Sequence, residues 1–539
     1  MALHGKKIQK VSTMSTSQRA AFYSLISFGL IMTATFGVWW FLPSHIPDNY
    51  KGIAHIFDFA LFGMLTYVIW YQIVSEVFSW MVAKDMKDVV PMKADTTYPV
   101  AFVTAFVPGK EPYDMLETTL SAMVAVDYPH DTWLLDEGND KTAKAICKKL
   151  GVKHFSRKGI VKYNTVQGPY KMKTKGGNHN SWHDKHGHNY KFVAQIDVDF
   201  IPRKDFLTKT LGYFKDPDVA FVGTPQIYGN VDESWIARGA AEQAYSFYGT
   251  IQRGFFGKDM QLFIGANHIV RTAALKDIGG YTGHIVEDHL TGMHLYSHKW
   301  KSVYVAEKLA IGEGPATWDA YFSQQMRWAY GLIDILFRHS PKLFPKMKFK
   351  HAVNYYLLQQ HYFYGFAQMI GIVLMTLYFT FGIESTAMPL QPLLALYIPM
   401  ILWQTVISLW LQKFNVEPET ESGLLVRGKL LTLAVWPIYL LAFFSVLLRK
   451  RLTYAVTPKG SQQIQSVPLT LFLPHFVLGT MTAIGLIAAM DDKHVAPLLV
   501  FWAIVNTITM YGFIMYVFAQ RVRNRFTLGG QDQVEEAVA

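Results

Sequence analysis

Seven apolar stretches, near residues 20–42, 53–82, 355–382, 389–411, 429–448, 467–489 and 495–519, are each long enough to cross a bilayer. A span of about 20 residues in lipid must satisfy its backbone polar groups internally, which means a helix. The first run is too long for a signal-peptide core and has no small-residue cleavage site, so it is expected to remain as an anchor. Between the second and third runs lies a long charged stretch that cannot belong to a membrane bundle. The 539-residue chain is 51% apolar, too much for an ordinary soluble enzyme. One soluble domain carried by a helical bundle satisfies both facts. The formal charge of +11 fits cytoplasmic flanks of membrane helices and is not read as a nucleic-acid footprint. The single cysteine, Cys147, excludes an intramolecular disulfide and a thiolate zinc site, and is expected as an inert buried thiol.

The run at 429–448 decides the topology. As a span it makes seven, and it puts Arg449, Lys450, Arg451 and Lys459 outside, against the positive-inside bias. As an interfacial helix, with Trp436-Pro437 in its middle, it leaves six spans. Arg427, Lys429, the basic run after it and Arg521, Arg523 and Arg525 then all lie inside, and the outer loops keep only Lys51 and Lys493. Six is the expectation. The chain divides into a polar cytoplasmic tail (1–19), two spans with a linker (20–95), a soluble domain (96–315), interfacial helices (316–350), two spans (351–412), an interfacial helix and loop (413–466), two spans (467–520) and a frayed cytoplasmic tail (521–539).

Within 96–315, strand-forming runs alternate with amphipathic helical ones. PVAFVTAFV, TWLLDEGND, YKFVAQIDVDFI and DVAFVGTPQIY read as buried strands, and DMLETTLSAMVAV and KTAKAICKKLGV as helices. This alternation predicts an α/β domain with a mostly parallel sheet, whose ligands sit at the carboxyl ends of the strands. Asp136 and Glu137 end one strand, and Asp197 and Asp199 end another.

Taken singly, the motifs are weak. DVD (197–199) puts two carboxylates on one turn, which can hold a hard divalent cation against a diphosphate, but D-x-D is common in loops. VED (286–288) at a helix start is more often a cap than a base. QQMRW (324–328) beside a membrane is by default an interfacial anchor. KGGNHN (175–180) reads as a glycine turn on a basic, histidine-rich surface loop. His179, His183, His186 and His188 lack the carboxylate or cysteine pattern of a metal site.

In order, DEG, KGGN, DVD, VED, QQMRW and a late TPK resemble a known family, the processive inverting family-two glycosyltransferases of the cellulose synthase-like type. The resemblance covers about 96–465 and implies a GT-A-type domain inside a transmembrane bundle, a UDP-sugar donor, a growing polysaccharide acceptor, Mg²⁺ or Mn²⁺, and a multi-pass location in the cell membrane with the catalytic domain cytoplasmic. It implies that Asp136 and Glu137 hold the uridine end, Lys175 and Asp197 the nucleotide, and Asp199 the metal. Asp288 becomes the general base that takes the acceptor proton. Gln324, Arg327 and Trp328 sit at the channel mouth, Arg327 facing the diphosphate and Trp328 stacking on the acceptor sugar. Gly265 and Ala266, within FIGANH (263–268), line the acceptor side. Thr457 and Lys459 reach the diphosphate from a gating loop, with Tyr454 at the family's Phe position.

The chemistry agrees with these roles. A nucleoside diphosphate leaving group needs cations, and a weak sugar hydroxyl needs a positioned base. Direct displacement inverts the anomeric centre. The chain departs from the family pattern where DEG replaces DDG, VED replaces T-E-D, IGA replaces C-G-S and VPGKEP (107–112) replaces a P-T-Y-N-E-P-like turn. A built-in cyclic-dinucleotide sensor is not expected. YAVTPK (454–459) resembles the gating loop of bacterial β-glucan synthases and favours UDP-glucose, with the linkage open. A hyaluronan- or chitin-type synthase using UDP-N-acetylglucosamine is the enzymatic alternative, and a non-catalytic membrane transporter the other.

Overall fold

A computed structural model describes residues 7–95, 97–450, 469–489 and 497–538. Its centre is a seven-stranded sheet. In spatial order the strands are Lys301–Tyr304, Val219–Gly223, Asn267–Arg271, Phe192–Ile196, Val100–Phe106, Asp131–Asp136 and Lys153–Phe155. Only Asn267–Arg271 runs antiparallel to its neighbours. The inner strands are continuous runs of Val, Phe, Ala and Ile, buried on both faces, as a helix-covered parallel sheet requires. The expected mostly parallel α/β domain is therefore present, and the antiparallel strand is the element its sequence pattern did not announce. A smaller sheet, Phe200–Pro202, Ala310–Gly312 and Ile227–Tyr228, forms just past the DVD turn.

Six helical stretches among the described residues are long and apolar enough to cross a membrane: Thr16–Trp40, Gly52–Ala83, Phe349–Phe381, Leu390–Phe414, Leu469–Ala488 and Leu499–Ala519. The debated run at 429–448 forms two helices, Val426–Ala434 and Trp436–Leu447, bent by 43°. The break has a local cause: Pro437 has no N–H to give, and its ring disfavours helical geometry in the preceding residue. The first piece packs on the helix Trp235–Ser246 and the second on Trp318–Arg338.

Three expectations are corrected. Part of 1–19 is not a loose tail: Lys10–Ser12 pairs antiparallel with Lys87–Val89, and Ser15 with Gln18 makes a capping box for the first membrane helix. Lys10 then donates to the Phe256 carbonyl at 2.6 Å and pairs with Asp259 at 2.9 Å, tying the segment to the α/β domain. The frayed tail at 521–539 is instead helix as far as Val538. KGGNHN is neither a turn nor a surface loop but opens the helix Lys175–His186, capped by Thr174, with Gly176 to Trp182 buried. Two glycines disfavour a helix by propensity, yet here the backbone packs too closely for anything larger. A Cβ on Gly176 would lie 2.3 Å from the Thr282 carbonyl oxygen.

Candidate functional site

The carboxyl ends of the parallel strands open onto one cavity of about 1470 Å³, which continues between the membrane helices. Glu137, Lys175, Asp197 and Asp199 line its near end, and Asp288, Arg327 and Trp328 its middle. Tyr67, Trp70, Tyr71 and Glu76 line its far end, on the helix Ile56–Ala83.

At the near end the strand Asp131–Asp136 stops in the turn DEGND. Asp136 is fully buried and does not line the cavity. Its carboxylate accepts from the Gly138 and Asp140 amides at 2.7 and 2.6 Å and lies 2.9 Å from His154 Nε2. It shapes the turn, and Asp140 closes it by capping the next helix. Glu137 reaches the cavity, held by Arg157, whose Nη2 is 2.6 Å from Glu137 Oε1. Arg157 is wholly buried and also donates to the carbonyls of Tyr163, Lys171 and Thr174. One guanidinium thus fixes Glu137 and the approach to Lys175.

Lys175 crosses to the next strand, pairing with Asp197, donating to the Gly265 carbonyl at 2.8 Å and lying 3.9 Å from Glu287. Gln195 Nε2 donates to the same carbonyl at 2.6 Å. The Asp197 amide donates to the Ala266 carbonyl at 2.8 Å. This lattice exists because the antiparallel strand places 265–266 beside the end of Phe192–Ile196.

Asp288 lies in the first turn of the helix Glu287–Ser297. Its Oδ2 accepts from the Gly265 amide at 2.9 Å and its Oδ1 from the His289 amide at 2.8 Å. Burial pushes both Glu287 and Asp288 above the ordinary carboxylate range, while the Lys175 charge pulls both down and Arg327 pulls on Asp288. A carboxylate raised by burial and steadied by cations is suited to taking a proton near neutral pH.

Gln324, Gln325, Trp328 and Leu332 line the cavity at helical spacing along Trp318–Arg338. Tyr439 Oη donates to Gln325 Oε1 at 2.9 Å. Tyr71 Oη donates to the His361 carbonyl at 2.8 Å.

The structure therefore brings Glu137, Lys175, Asp197, Asp199, Gly265, Ala266, Asp288, Gln324, Arg327 and Trp328 to one cavity and leaves Asp136 behind it. Tyr454, Thr457 and Lys459 lie outside the described residues. His179 is buried and His183 half-buried beside Tyr281, and desolvation pushes His183 down to about 4. Arg157, Glu287, Gln325 and Glu76 were not singled out as site residues in the sequence. Glu76 had a readable signal: a carboxylate well inside a span generally faces a polar interior. Arg157, a solitary arginine 20 residues from Glu137, had none.

Residues 192–447, a little under half of the chain, match the family model described as Glycosyl transferase family group 2. The match covers Asp197, Asp199, Asp288 and the QQMRW helix. It begins after Asp136, Glu137 and Lys175, which rest on the geometry. The chain is similar to the cellulose synthase catalytic subunit [UDP-forming] of Pseudomonas fluorescens, with 26% identity over 300 residues, 52% of this chain and 38% of that protein. Cellulose synthase 2 of Novacetimonas hansenii is 27% identical over 292 residues, 52% of this chain and 17% of that protein. The chain thus spans well under half the length of these relatives. Among solved structures, a mannosyltransferase from Pyrobaculum calidifontis in complex with GDP-Man and Mn²⁺ aligns over 72% of this chain and all of its own, at 14% identity and a TM-score of 0.45.

Proposed function

We propose that the protein is a processive inverting glycosyltransferase that polymerises UDP-glucose into a β-glucan and passes the product through its own helical bundle. The observation that carries this reading is the single cavity joining the acidic strand ends to the aromatic and amide groups between membrane helices. The UDP-forming cellulose synthesis named for its relatives supports the donor and the product class.

On this reading Glu137, with Lys175 and Asp197, binds the nucleotide, and Asp136 acts by shaping the turn that presents Glu137. Asp197 and Asp199 suit a divalent metal: both are on one turn, offer carboxylate oxygens and line the cavity. Bound there, Mg²⁺ or Mn²⁺ neutralises charge on the departing diphosphate. Arg327 adds a second cation to the lining of the same cavity. Asp288, held by the Gly265 and His289 amides, takes the acceptor hydroxyl's proton as that oxygen attacks the anomeric carbon. Trp328 offers an aromatic face for the acceptor sugar, with Gln324 beside it. Gly265 lies against the base, where a Cβ would sit 2.9 Å from Asp288 Oδ2, and Ala266 lines the cavity next to it. Thr457 and Lys459 add to the diphosphate side and Tyr454 to the acceptor side. The α/β domain faces the cytoplasm, where the basic flanks of the bundle also fall.

The test is purified protein with Mg²⁺ or Mn²⁺, a panel of radiolabelled UDP-sugars, and linkage-specific glucanase digestion. Incorporation from UDP-glucose into a glucanase-sensitive polymer is expected. A polymer containing amino sugar, or no incorporation, overturns the reading.

A further inference from the structure

The segment 284–288, which leads into the helix bearing Asp288, meets the helix carrying Arg327 through three successive contacts, and the outermost belongs to two residues with no part in the chemistry above. On the helix Trp318–Arg338, Arg327, Gly331 and Asp334 fall at i, i+4 and i+7, one stripe along two turns. Alternate residues of the segment face that stripe. Asp288 lies close enough to Arg327 for its charge to be felt. Val286 presses on Gly331, where a Cβ would sit 2.5 Å from Val286 Cγ2. His284 Nε2 lies 3.1 Å from Asp334 Oδ2.

The His284 proton can be placed from its partners. Nδ1 accepts from the Val286 amide at 3.3 Å, and a backbone N–H can only donate. The neutral ring therefore carries its proton on Nε2 and gives it to Asp334. The same assignment argues against a metal among His284, Asp334 and His339, although their ligand atoms lie within 4.8 Å of one another. The Nε2 lone pair is not available, and the other Asp334 oxygen is taken by Arg338. Arg338 in turn donates to the Val446 carbonyl at 3.0 Å, anchoring this rung to the bent helix Trp436–Leu447.

We propose that His284 and Asp334 are positioning residues that fix the register between the base and the helix bearing Arg327 and Trp328, a role that rests on the glycosyl-transfer reading. Without His284 the closest packing of this segment on the helix beyond Arg327 is Val286 against Gly331, an apolar contact that sets no fixed register. His284 clamps the segment at the far end through a donor directed at a buried carboxylate. Displacement of about 1 Å at the base costs turnover without touching the nucleotide groups.

The test uses the full-length protein in detergent, measuring initial sugar incorporation, KM for UDP-glucose and UDP binding. His284→Leu is expected to lower kcat about tenfold or more with donor KM and UDP binding unchanged. His284→Gln, whose side-chain amide N–H stands where Nε2–H stood, restores most of it. Asp334→Leu should resemble His284→Leu, and the double variant should be no worse than either single one, because both break the same rung. The inference is overturned if His284→Gln is no better than His284→Leu, if the two effects multiply, or if donor binding falls in step with turnover. Wild-type protein that makes polymer alongside variants of equal rate removes this inference alone. Wild-type protein that makes none removes the glycosyl-transfer reading and this inference with it.

Discussion

The two ends of the cavity hold their side chains in opposite ways. At the strand ends the groups are charged, paired and tethered from behind: Arg157 grips Glu137 and three carbonyls, and Lys175 spans Asp197 and Gly265. Toward the membrane helices the lining is mainly neutral rings, hydroxyls and amides, with Tyr439 bonded to Gln325 and Tyr71 to the His361 carbonyl. A diphosphate presents the same charge in the same place at every cycle, which rewards preorganised cations. A polymer that advances by one sugar per cycle needs contacts it can leave, and stacking with neutral hydrogen bonds supplies them. The contrast is what the proposed division between transfer and passage requires.

Variants at each end can break this contrast. The largest effect is expected from Asp288→Asn, which should lower incorporation by about 10²- to 10⁴-fold with UDP binding intact; equal loss of UDP binding would move Asp288 to the nucleotide. Next is Arg157→Met. It leaves Glu137 without its partner, removes one donor from each of three carbonyls and should cost about 3–5 kcal/mol, read as a fall in Tm together with a raised donor KM. Arg157→Lys should recover little, because an ammonium cannot reproduce the guanidinium fork. A smaller effect is expected from Trp328→Ala at the other end. Loss of about 1 kcal/mol of stacking should shorten the product on size-exclusion chromatography more than it slows initial incorporation.

The smallest effect is a displaced pH profile. Asp288 must be ionised to accept a proton, and burial raises its pKa. Activity should therefore fall, as pH is lowered, at a higher pH than an ordinary aspartate would give. Lys175 pulls this pKa down, so Lys175→Met should move the acid limb further up at saturating donor. A limb that stays put would separate Lys175 from the base.

The same contrast explains what the sequence disclosed. Asp197 and Asp199 were legible as carboxylates at the end of a strand-forming run, whereas Asp288 stood out only through the ordered combination of motifs, since an acidic residue at a helix start is by itself a cap. The bend near Pro437 was legible because proline acts locally. Arg157 was not, since its role depends on a fold that brings Glu137, Lys171 and Thr174 around it. The helix at Lys175 was hidden because Gly176 and Gly177 argue against a helix on propensity, while the close approach of Thr282 is a tertiary fact. The pairing of Lys10–Ser12 with Lys87–Val89 was invisible because a run of three residues is too short to carry a strand signal until a partner edge is present. The apparent simplicity of DEG also misled: Asp136 ends the strand as expected, but its oxygens are used by the turn itself.

The central claim is that transfer and passage share one cavity, and reconstitution tests it directly. Protein in sealed proteoliposomes with its α/β domain outward is given UDP-[³H]glucose and divalent metal, then external glucanase. Labelled polymer that survives until detergent opens the vesicles, and is absent with Asp288→Asn, is the predicted result. Polymer digested completely before the vesicles are opened would contradict it.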